Sequence, residues 1–464
     1  MKRTSYARVP SLCPLAAGLA IAFAALATIE ADARPQPGPV PSHNVVVTPP
    51  PTPRGAIVVT TCDDGGPGSL REAYFNAVDG DTIDLTQLAC STISLSTGFA
   101  LTNSGTAHNV TLVGPGRDGL TIDGALTNRV LVHNGEGDLH LIGLSIANGS
   151  YSGPYGGGCI YSYGGVHTED VDISHCSLFA GGTYSAYGGA IFSRGRTYLS
   201  GTRITNSTAQ ATAGLGAGGA VFASSVRIVR STITGNTAVV GDAYDSLGGG
   251  VLSLGDVEVR YSTIADNTAG IGGGLWLAGG AAPQTRLIIN STISDNHATY
   301  GVGGIYGSYA PSLLQISNST ITANSSAIFD YGAGAYLISN CEIVSSIIAG
   351  NSGPEGASDI AALSLTGSNN IIIESIVSLP PDTIQADPLL GPLQDNGGVT
   401  PTHAVLAGSP AIDRGLNPLG LLLDQRAFDE DVPGGYEREV GHGTDIGAFE
   451  FGAPDRIFTD GFEA

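Results

Sequence analysis

Two short phrases alternate between about residues 142 and 351, and their spacing limits the fold more than any other feature of the chain. One is a glycine pair followed by an apolar run: GGGCIYS at 156–162, GGAIFS at 188–193, GGAVFA at 218–223, GGGVLS at 248–253, GGGLWL at 272–277, GGIYGS at 303–308 and GAGAYL at 332–337. The other reads STITGNTA at 231–238, STIADNTA at 262–269, STISDNHA at 291–298 and STITANSS at 319–326. The glycine column falls at 158, 189, 219, 249, 273, 303 and 334, in steps of 31, 30, 30, 24, 30 and 31. An asparagine column falls at 236, 267, 296, 324 and 351. Three residues before it stand Ile233, Ile264, Ile293, Ile321 and Ile348. Five residues earlier still stand Ile228, Val259, Ile288, Ile316 and Ile343.

A period near thirty with several strand-like pieces per unit predicts one solenoid coil per repeat. The β-branched columns favour strands over helices. Leucine-rich repeats lack a match because L-x-x-L-x-L is missing, and propeller blades need longer units with aromatic signatures. The expected fold is all-β: a right-handed parallel β-helix with an N-terminal helical cap and a loop-rich C-terminal cap. At about 4.8 Å per coil, seven coils span roughly 34 Å. The isoleucines then fill the interior, and the asparagine amides stack at a bend, each bonding to the next. Glycine supplies positive φ or close backbone approach where the coil turns sharply.

Composition agrees. The chain holds 68 Gly without a Gly-X-Y period, which excludes collagen, and 42% hydrophobic residues, which excludes disorder. Its net charge is −22 and its only lysine is Lys2. With no basic run, nucleic acid is excluded as a partner, and anionic membrane surfaces should be repelled.

Residues 1–33 read as a secretory signal. Lys2, Arg3 and Arg8 form the charged start, LAAGLAIAFAALA at 15–27 the apolar core, and Ala31-Asp32-Ala33 the cleavage site. The apolar run is too short for an anchor, so no integral membrane segment is expected after cleavage. Residues 34–55 are a proline-rich linker. Five cysteines remain (62, 90, 159, 176 and 341), an odd count that leaves at least one unpaired within the chain. Residues 56–95 are expected as the N-terminal cap, 96–378 as the β-helix, 379–452 as the C-terminal cap and 453–464 as a tail.

In the N-terminal cap, Ser69 and Glu72 are spaced as a capping box for a short helix whose apolar side carries Leu70, Ala73, Tyr74 and Ala77. The segment VTTCDDGGPGSLREAYFNAVDGDTIDL resembles the N-terminal segment of secreted β-helix proteins named after a CSLREA motif, with Gly68 where that motif has Cys. A short helix can plug the open end of a solenoid. Cys62 and Cys90 flank this segment and are expected to pair. Across 156–351, GGAI, GGAV and I-x-x-N-x-A resemble the paired repeats of polymorphic outer-membrane proteins. Those proteins end in an autotransporter barrel, for which no room follows residue 380. Residues 387–450 resemble the choice-of-anchor Q domain: DPLLGPL, DNGG-x-T, GSPAID-x-G, DQR and DIGAFE occur in order. This chain departs at Ala427, where Gly is usual, and in the acidic insertion DEDVPGG. DRIFTDGFEA at 455–464 resembles the endings of some Gram-negative exported proteins, and reads equally as a plain chain end.

Secreted β-helices of the pectin-lyase-like superfamily include polysaccharide lyases and glycoside hydrolases. Hydrolases of this shape need clustered carboxylates as acid and base. The best candidates are Asp170 and Asp172, on one strand face at period two, with His167 and His175 nearby. A solvated acidic face accounts for them as well. The GHG at 441–443 lies in the C-terminal cap. Lyases of the superfamily use Lys or Arg as base. Lysine is lost with the signal, and no Asp-rich phrase accompanies Arg227, Arg230 or Arg260. Arg230 and Arg260 are expected in matching places on neighbouring coils.

Asp413, Asp424, Arg426, Arg438 and Asp445 are expected as structural ion pairs of the C-terminal cap. Asp63-Asp64 and Asp429-Glu430-Asp431 lack EF-hand or RTX spacing, so neither a metal site nor a cofactor is expected. Tyr151, Tyr155, Tyr161, Tyr163, Tyr184 and Tyr187 cluster in the early coils, as a binding face for sugars or proteins or as packing of long loops. The expectation is an exported extracellular or cell-surface protein of Gram-negative type. Its job is that of a non-catalytic adhesin or scaffold for extracellular glycans or host or cell-surface proteins, and the alternative is a polysaccharide lyase or glycoside hydrolase.

Overall fold

A computed structural model describes residues 55–453, apart from 99, 104–108, 242, 281–282, 310–311 and 428–435. The expected signal peptide, all but the last residue of the linker, the tail from 454 and the acidic insertion lie outside the described residues.

The thirty-residue period becomes one coil of a parallel β-helix of about 10 turns. One coil shows the plan, with strands Val251–Ser253, Val257–Arg260, Thr263–Ala265 and Thr268–Ala269. Each pairs in parallel with its counterpart one coil on: Val251 with Leu275, Val259 with Ile288, Ile264 with Ile293, Thr268 with His297. The first three strands of the coils join one large sheet wrapped around the interior, and the fourth builds a separate nine-stranded sheet.

Both expected apolar columns point inward. Ile228, Val259, Ile288, Ile316 and Ile343 stack in register, as do Ile233, Ile264, Ile293, Ile321 and Ile348. None is more than 1% exposed, so each contributes about 1.5–3 kcal/mol of burial. One inward place breaks the pattern. Arg286 stands between Val257 and Leu314 at 1% exposure and donates to Gln284 Oε1 at 2.7 Å and to the Ala278 carbonyl. Its Nε and one terminal nitrogen have no partner among the described residues, and burial pulls its guanidinium down to about 10.

The asparagine ladder forms as the spacing predicts. Nδ2 of Asn236, Asn267, Asn296 and Asn324 each donates to Oδ1 of the next member at 2.9–3.0 Å. The same Oδ1 also accepts the backbone N–H of the preceding member at 3.0–3.1 Å. Asn351 passes the chain to Asp359 Oδ1 at 3.0 Å, which ends the ladder. A serine ladder runs parallel: the backbone N–H groups of Ser231, Ser262, Ser291 and Ser319 each donate to the next serine Oγ at 3.1–3.2 Å.

The glycine column acts through close approach. A Cβ on Gly189 or Gly219 would lie 2.1 Å from a carbonyl oxygen of the next coil. The residue before each, Gly188 and Gly218, has φ of 71° and 65°. Register corrects the column's last member: Ile305 pairs with Ala335, so Ala333 and not Gly334 continues it. GAGA places its glycines at 332 and 334 on either side of Ala333, so no glycine stands at the position that register requires. A second correction is of the same kind. Arg260 pairs with Val229, which puts Arg230 level with Tyr261 instead.

Two columns of left-handed residues shape the coil. One precedes the ladder: Asn148, His175, Asn206, Gly235, Asp266, Asp295, Ala323 and Gly350, with φ of 52° to 76°. The other bends the second strand into the third: Gly143, Asp170, Gly201, Arg230, Tyr261, Asn290, Asn318, Ser345 and Asn369, with φ of 47° to 58°. Gly, Asn and Asp dominate both because they tolerate this region.

At the N-terminus the helix Leu70–Asn76 starts at Ser69, whose hydroxyl accepts the Glu72 N–H at 3.2 Å. Leu70, Ala73, Tyr74 and Ala77 are buried as expected. Gly68 has φ +78°, and a Cβ there would lie 2.3 Å from Thr60 Oγ1. Ala56–Val58 already pairs in parallel with Asp81–Asp84, so coil stacking begins inside the expected N-terminal cap. Cys62–Cys90 and Cys159–Cys176 are disulfides, and Cys341 is free and buried.

The C-terminal segment does more than close an end. It returns along the outside of the coils as a strap. Asn369 donates to the Arg414 carbonyl at 2.9 Å, Asn318 to Leu416 at 2.8 Å and Asn290 to Leu423 at 2.9 Å. Gln425 donates to Thr263 Oγ1 at 2.8 Å and accepts from Thr292 Oγ1 at 2.6 Å. No helix among the described residues is long and apolar enough to cross a membrane.

Asn296→Leu removes the acceptor of the Asn267 backbone N–H and amide, and the amide donor to Asn324 Oδ1, inside the buried ladder. We expect a loss of about 3 kcal/mol in denaturant unfolding, against little change for Thr268→Ala at the matching turn of the preceding coil. Equal, small effects would contradict the ladder's role.

Candidate functional site

Asp170 and Asp172 both lie on the outer face, and it is the bend at Asp170, not an unbroken period of two, that puts them there, since Thr168 and Val171 both point inward. Asp170 is a bend residue in the second left-handed column, which explains its φ of 53° without any appeal to catalysis. Arg117, from the loop after Val110–Val113, reaches both. Its Nε donates to Asp170 Oδ1 at 2.6 Å, one terminal nitrogen lies 3.4 Å from Asp172 Oδ1, and the other donates to the Gly201 carbonyl at 2.6 Å. Arg203 grips Asp172 through two parallel bonds of 2.6 Å, the bidentate geometry that guanidinium and carboxylate favour. Arg117, Asp170 and Arg203, with Arg230 and Val399, line a groove of about 200 Å³.

Arg230 therefore does share a site with acidic groups, contrary to expectation, because Asp170 comes from two coils away. Arg227 and Arg260 both pair with Glu258, the former at 3.1 Å. His175 is a bend residue of the first column. His167 lies beside Asp138 at 3.3 Å.

A second carboxylate pair was not foreseen. Asp266 and Asp295 stand one residue before ladder asparagines on adjacent coils, both exposed. Burial and then the neighbouring Asp295 charge raise the Asp266 carboxyl above its ordinary value, although Thr234 bonds to it. The signal was present in the sequence as the shared Asp of ADN and SDN, one period apart.

The six tyrosines divide. Arg129 lies over the ring of Tyr151 at 3.3 Å and that of Tyr161 at 5.0 Å, and donates to the carbonyls of Gly156 and Gly157 at 2.9 Å and 2.8 Å. Tyr161 stacks on Phe192 at 5.2 Å, and Tyr187 packs on Phe222 at 4.7 Å. These three tyrosines hold the loops against the coils. Tyr155, Tyr163 and Tyr184 are exposed, at 67%, 41% and 58%. Tyr155 and Tyr184 lie in corresponding loops of consecutive coils, and Arg194 sits 4.8 Å over the Tyr163 ring.

Asp424, Arg426, Arg438, Asp445 and Glu450 form a buried knot in the strap, with Asp413 exposed at its edge. Arg426 donates to Asp424 Oδ2 at 2.9 Å and to the Glu450 carbonyl at 2.9 Å, between the rings of Tyr436 and Phe449 at 3.7 Å and 3.8 Å. Arg438 reaches the Asp445 carbonyl at 3.2 Å and Asn290 Oδ1 at 3.3 Å. Asp445 Oδ1 accepts the Asp413 N–H at 2.8 Å, and Asp413 Oδ1 accepts that of His442 at 3.0 Å. DQR, DIGAFE and GHG thus serve closure. Among the weak acidic candidates, Asp64 is taken up by Arg71 and by the Thr97 N–H at 2.7 Å.

Compared with known proteins, the chain matches no family model, no curated protein and no solved structure. The fold and the disposition of these side chains are therefore what bears on function.

Burial pushes Glu450 up to about 8, against the pull of Arg438, and raises Asp359 and Asp445 as well. Unfolded carboxyls titrate near about 4. The folded chain therefore holds more protons than the unfolded one from about pH 4 to about pH 8, and stability falls as pH rises through that window. We expect the unfolding midpoint to drop from pH 5 to pH 8, and Glu450→Gln to flatten the upper part of that slope.

Proposed function

We propose that this chain is an exported, non-catalytic binding scaffold that presents one edge of its early coils to extracellular glycans or cell-surface proteins. The observation that carries this reading is how the polar groups of that region are used. Asp170 and Asp172 are tied into ion pairs with Arg117 and Arg203, while Tyr155, Tyr163 and Tyr184 stay exposed on loops braced by Arg129 and Arg194. An aromatic face with a hydroxyl at its tip stacks on a sugar ring and bonds to it at once. The net charge of −22 favours neutral or cationic partners over polyanions.

Export is supported by the apolar N-terminal leader and by two disulfides, which fit an oxidising compartment. The resemblance of 387–450 to choice-of-anchor Q domains supports a place at the cell surface. A hydrolase or lyase is the second reading, and the raised carboxyl of Asp266 beside Asp295 is what favours it.

A glycan array run beside a lyase and hydrolase panel separates the two. We expect binding without turnover, weakened about tenfold by Tyr155→Ala or Tyr184→Ala. Product release from a polysaccharide that is abolished by Asp170→Asn or Asp266→Asn would replace the scaffold with an enzyme.

A further inference from the structure

His140 and His167 hold the same outward place in the strands Leu139–Ala147 and Val166–Ser174 and pair directly across adjacent coils. Their rings stack with centroids 4.7 Å apart, close to the coil rise of about 4.8 Å. Asp138 precedes the first of these strands. Its backbone N–H donates to Asn109 Oδ1 at 2.9 Å, and its Oδ1 accepts the Gly165 N–H at 3.0 Å. That leaves Oδ2 turned toward His167 Nε2 at 3.3 Å. A Cβ at Gly165 would stand 2.3 Å from Asp138 Oδ1, so a glycine on the next coil keeps the carboxylate's place open. One ligand atom from each of the three side chains lies within 4.8 Å of the others. Tyr198 meets the His167 ring edge-on at 6.0 Å, and Thr111 lies level with His140 on the other side.

We infer that Asp138, His140 and His167 form a surface site for one divalent transition-metal ion of the zinc or copper type. Two imidazole nitrogens and one carboxylate oxygen suit such ions, whereas calcium and magnesium call for more oxygen donors. All three side chains are half-buried, so one side of the set is walled by the coil and the other is open to a water molecule. Zinc ligands sit about 2.0–2.2 Å from the ion. Small rotations of these partly exposed side chains close the gap. The bond from Gly165 plays the orienting part that outer partners of metal ligands play elsewhere.

The sequence conceals this set because it spans a turn and two coils. His140 and His167 are 27 residues apart, inside the less regular early repeats.

The test uses the untagged full chain, stripped with chelator and then dialysed against ZnCl2, with CaCl2 in parallel. We expect one zinc per chain and no stoichiometric calcium. His140→Gln and His167→Gln should each weaken zinc binding about tenfold or more, with the far-ultraviolet circular dichroism of the parent retained. His442→Gln, in the strap, should leave binding unchanged. Copper loaded into the parent should show two nitrogen couplings by electron paramagnetic resonance, falling to one in either histidine variant. Absence of stoichiometric zinc in the parent overturns the inference. So does zinc binding that survives the double variant undiminished, or a copper spectrum without two nitrogens.

Discussion

The amide ladder from Asn236 to Asn351 is the contact on which the rest of the structure depends. Each amide is buried and must find a partner for both its donor and its acceptor. It finds them one coil away, in the amide and the backbone N–H of its neighbours. A slip of one residue in any coil would break several bonds at once. The ladder thereby sets register, and register sets everything stacked on it: isoleucine over isoleucine, bend over bend, glycine under carbonyl. At its far end Asp359 receives the last amide, and burial raises that carboxyl. Toward the N-terminus the same column passes to Ser207, which donates its N–H to Asn236 Oδ1 at 2.9 Å, and to Cys176, tied to Cys159. A disulfide thus takes over where the amides stop.

The two left-handed columns carry the consequence outward. A bend with positive φ turns its side chain and its carbonyl to the outside of the coil. In the later coils those groups (Tyr261, Asn290, Asn318, Ser345 and Asn369) hold the returning strap. In the earlier coils the same column stands beyond the strap, and Asp170 meets Arg117 there instead. One structural position thus serves as an anchor in one half of the solenoid and as a charged groove in the other. The early coils, with Tyr155, Tyr163, Tyr184 and the Asp138 group, are where surface chemistry is left over from packing.

Legibility followed locality. The ladder, the two isoleucine columns and the helix from Leu70 could be read directly, because each rests on a short phrase recurring at a fixed interval or on a capping pair three residues apart. The misplacements were single-residue slips: Gly334 for Ala333, and Arg230 set level with Arg260. In both, the spacing allowed either of two adjacent residues, and only hydrogen-bond pairing distinguishes them. The bend columns went unread because Asp170, Arg230, Tyr261 and Ser345 share a backbone conformation and no side-chain chemistry. The division of the tyrosines was equally hidden. Whether a tyrosine packs or projects depends on Arg129 and Phe192, which reach it from neighbouring coils.

By itself the sequence determined the period, the strand character of each unit, the inward columns, the amide ladder and the helical plug. These are set by residues within one repeat and by the requirement that identical repeats bury identical faces. Only the tertiary structure decided which carboxylates are neutralised, where the C-terminal segment runs, and which histidines share an aspartate. Those outcomes depend on groups 25 to more than 150 residues apart that coil stacking brings within a hydrogen bond, such as Gln425 with Ser262. Stacking converts a distance along the chain into about 4.8 Å per coil. The side chains that meet there vary from repeat to repeat, so no periodicity announces them.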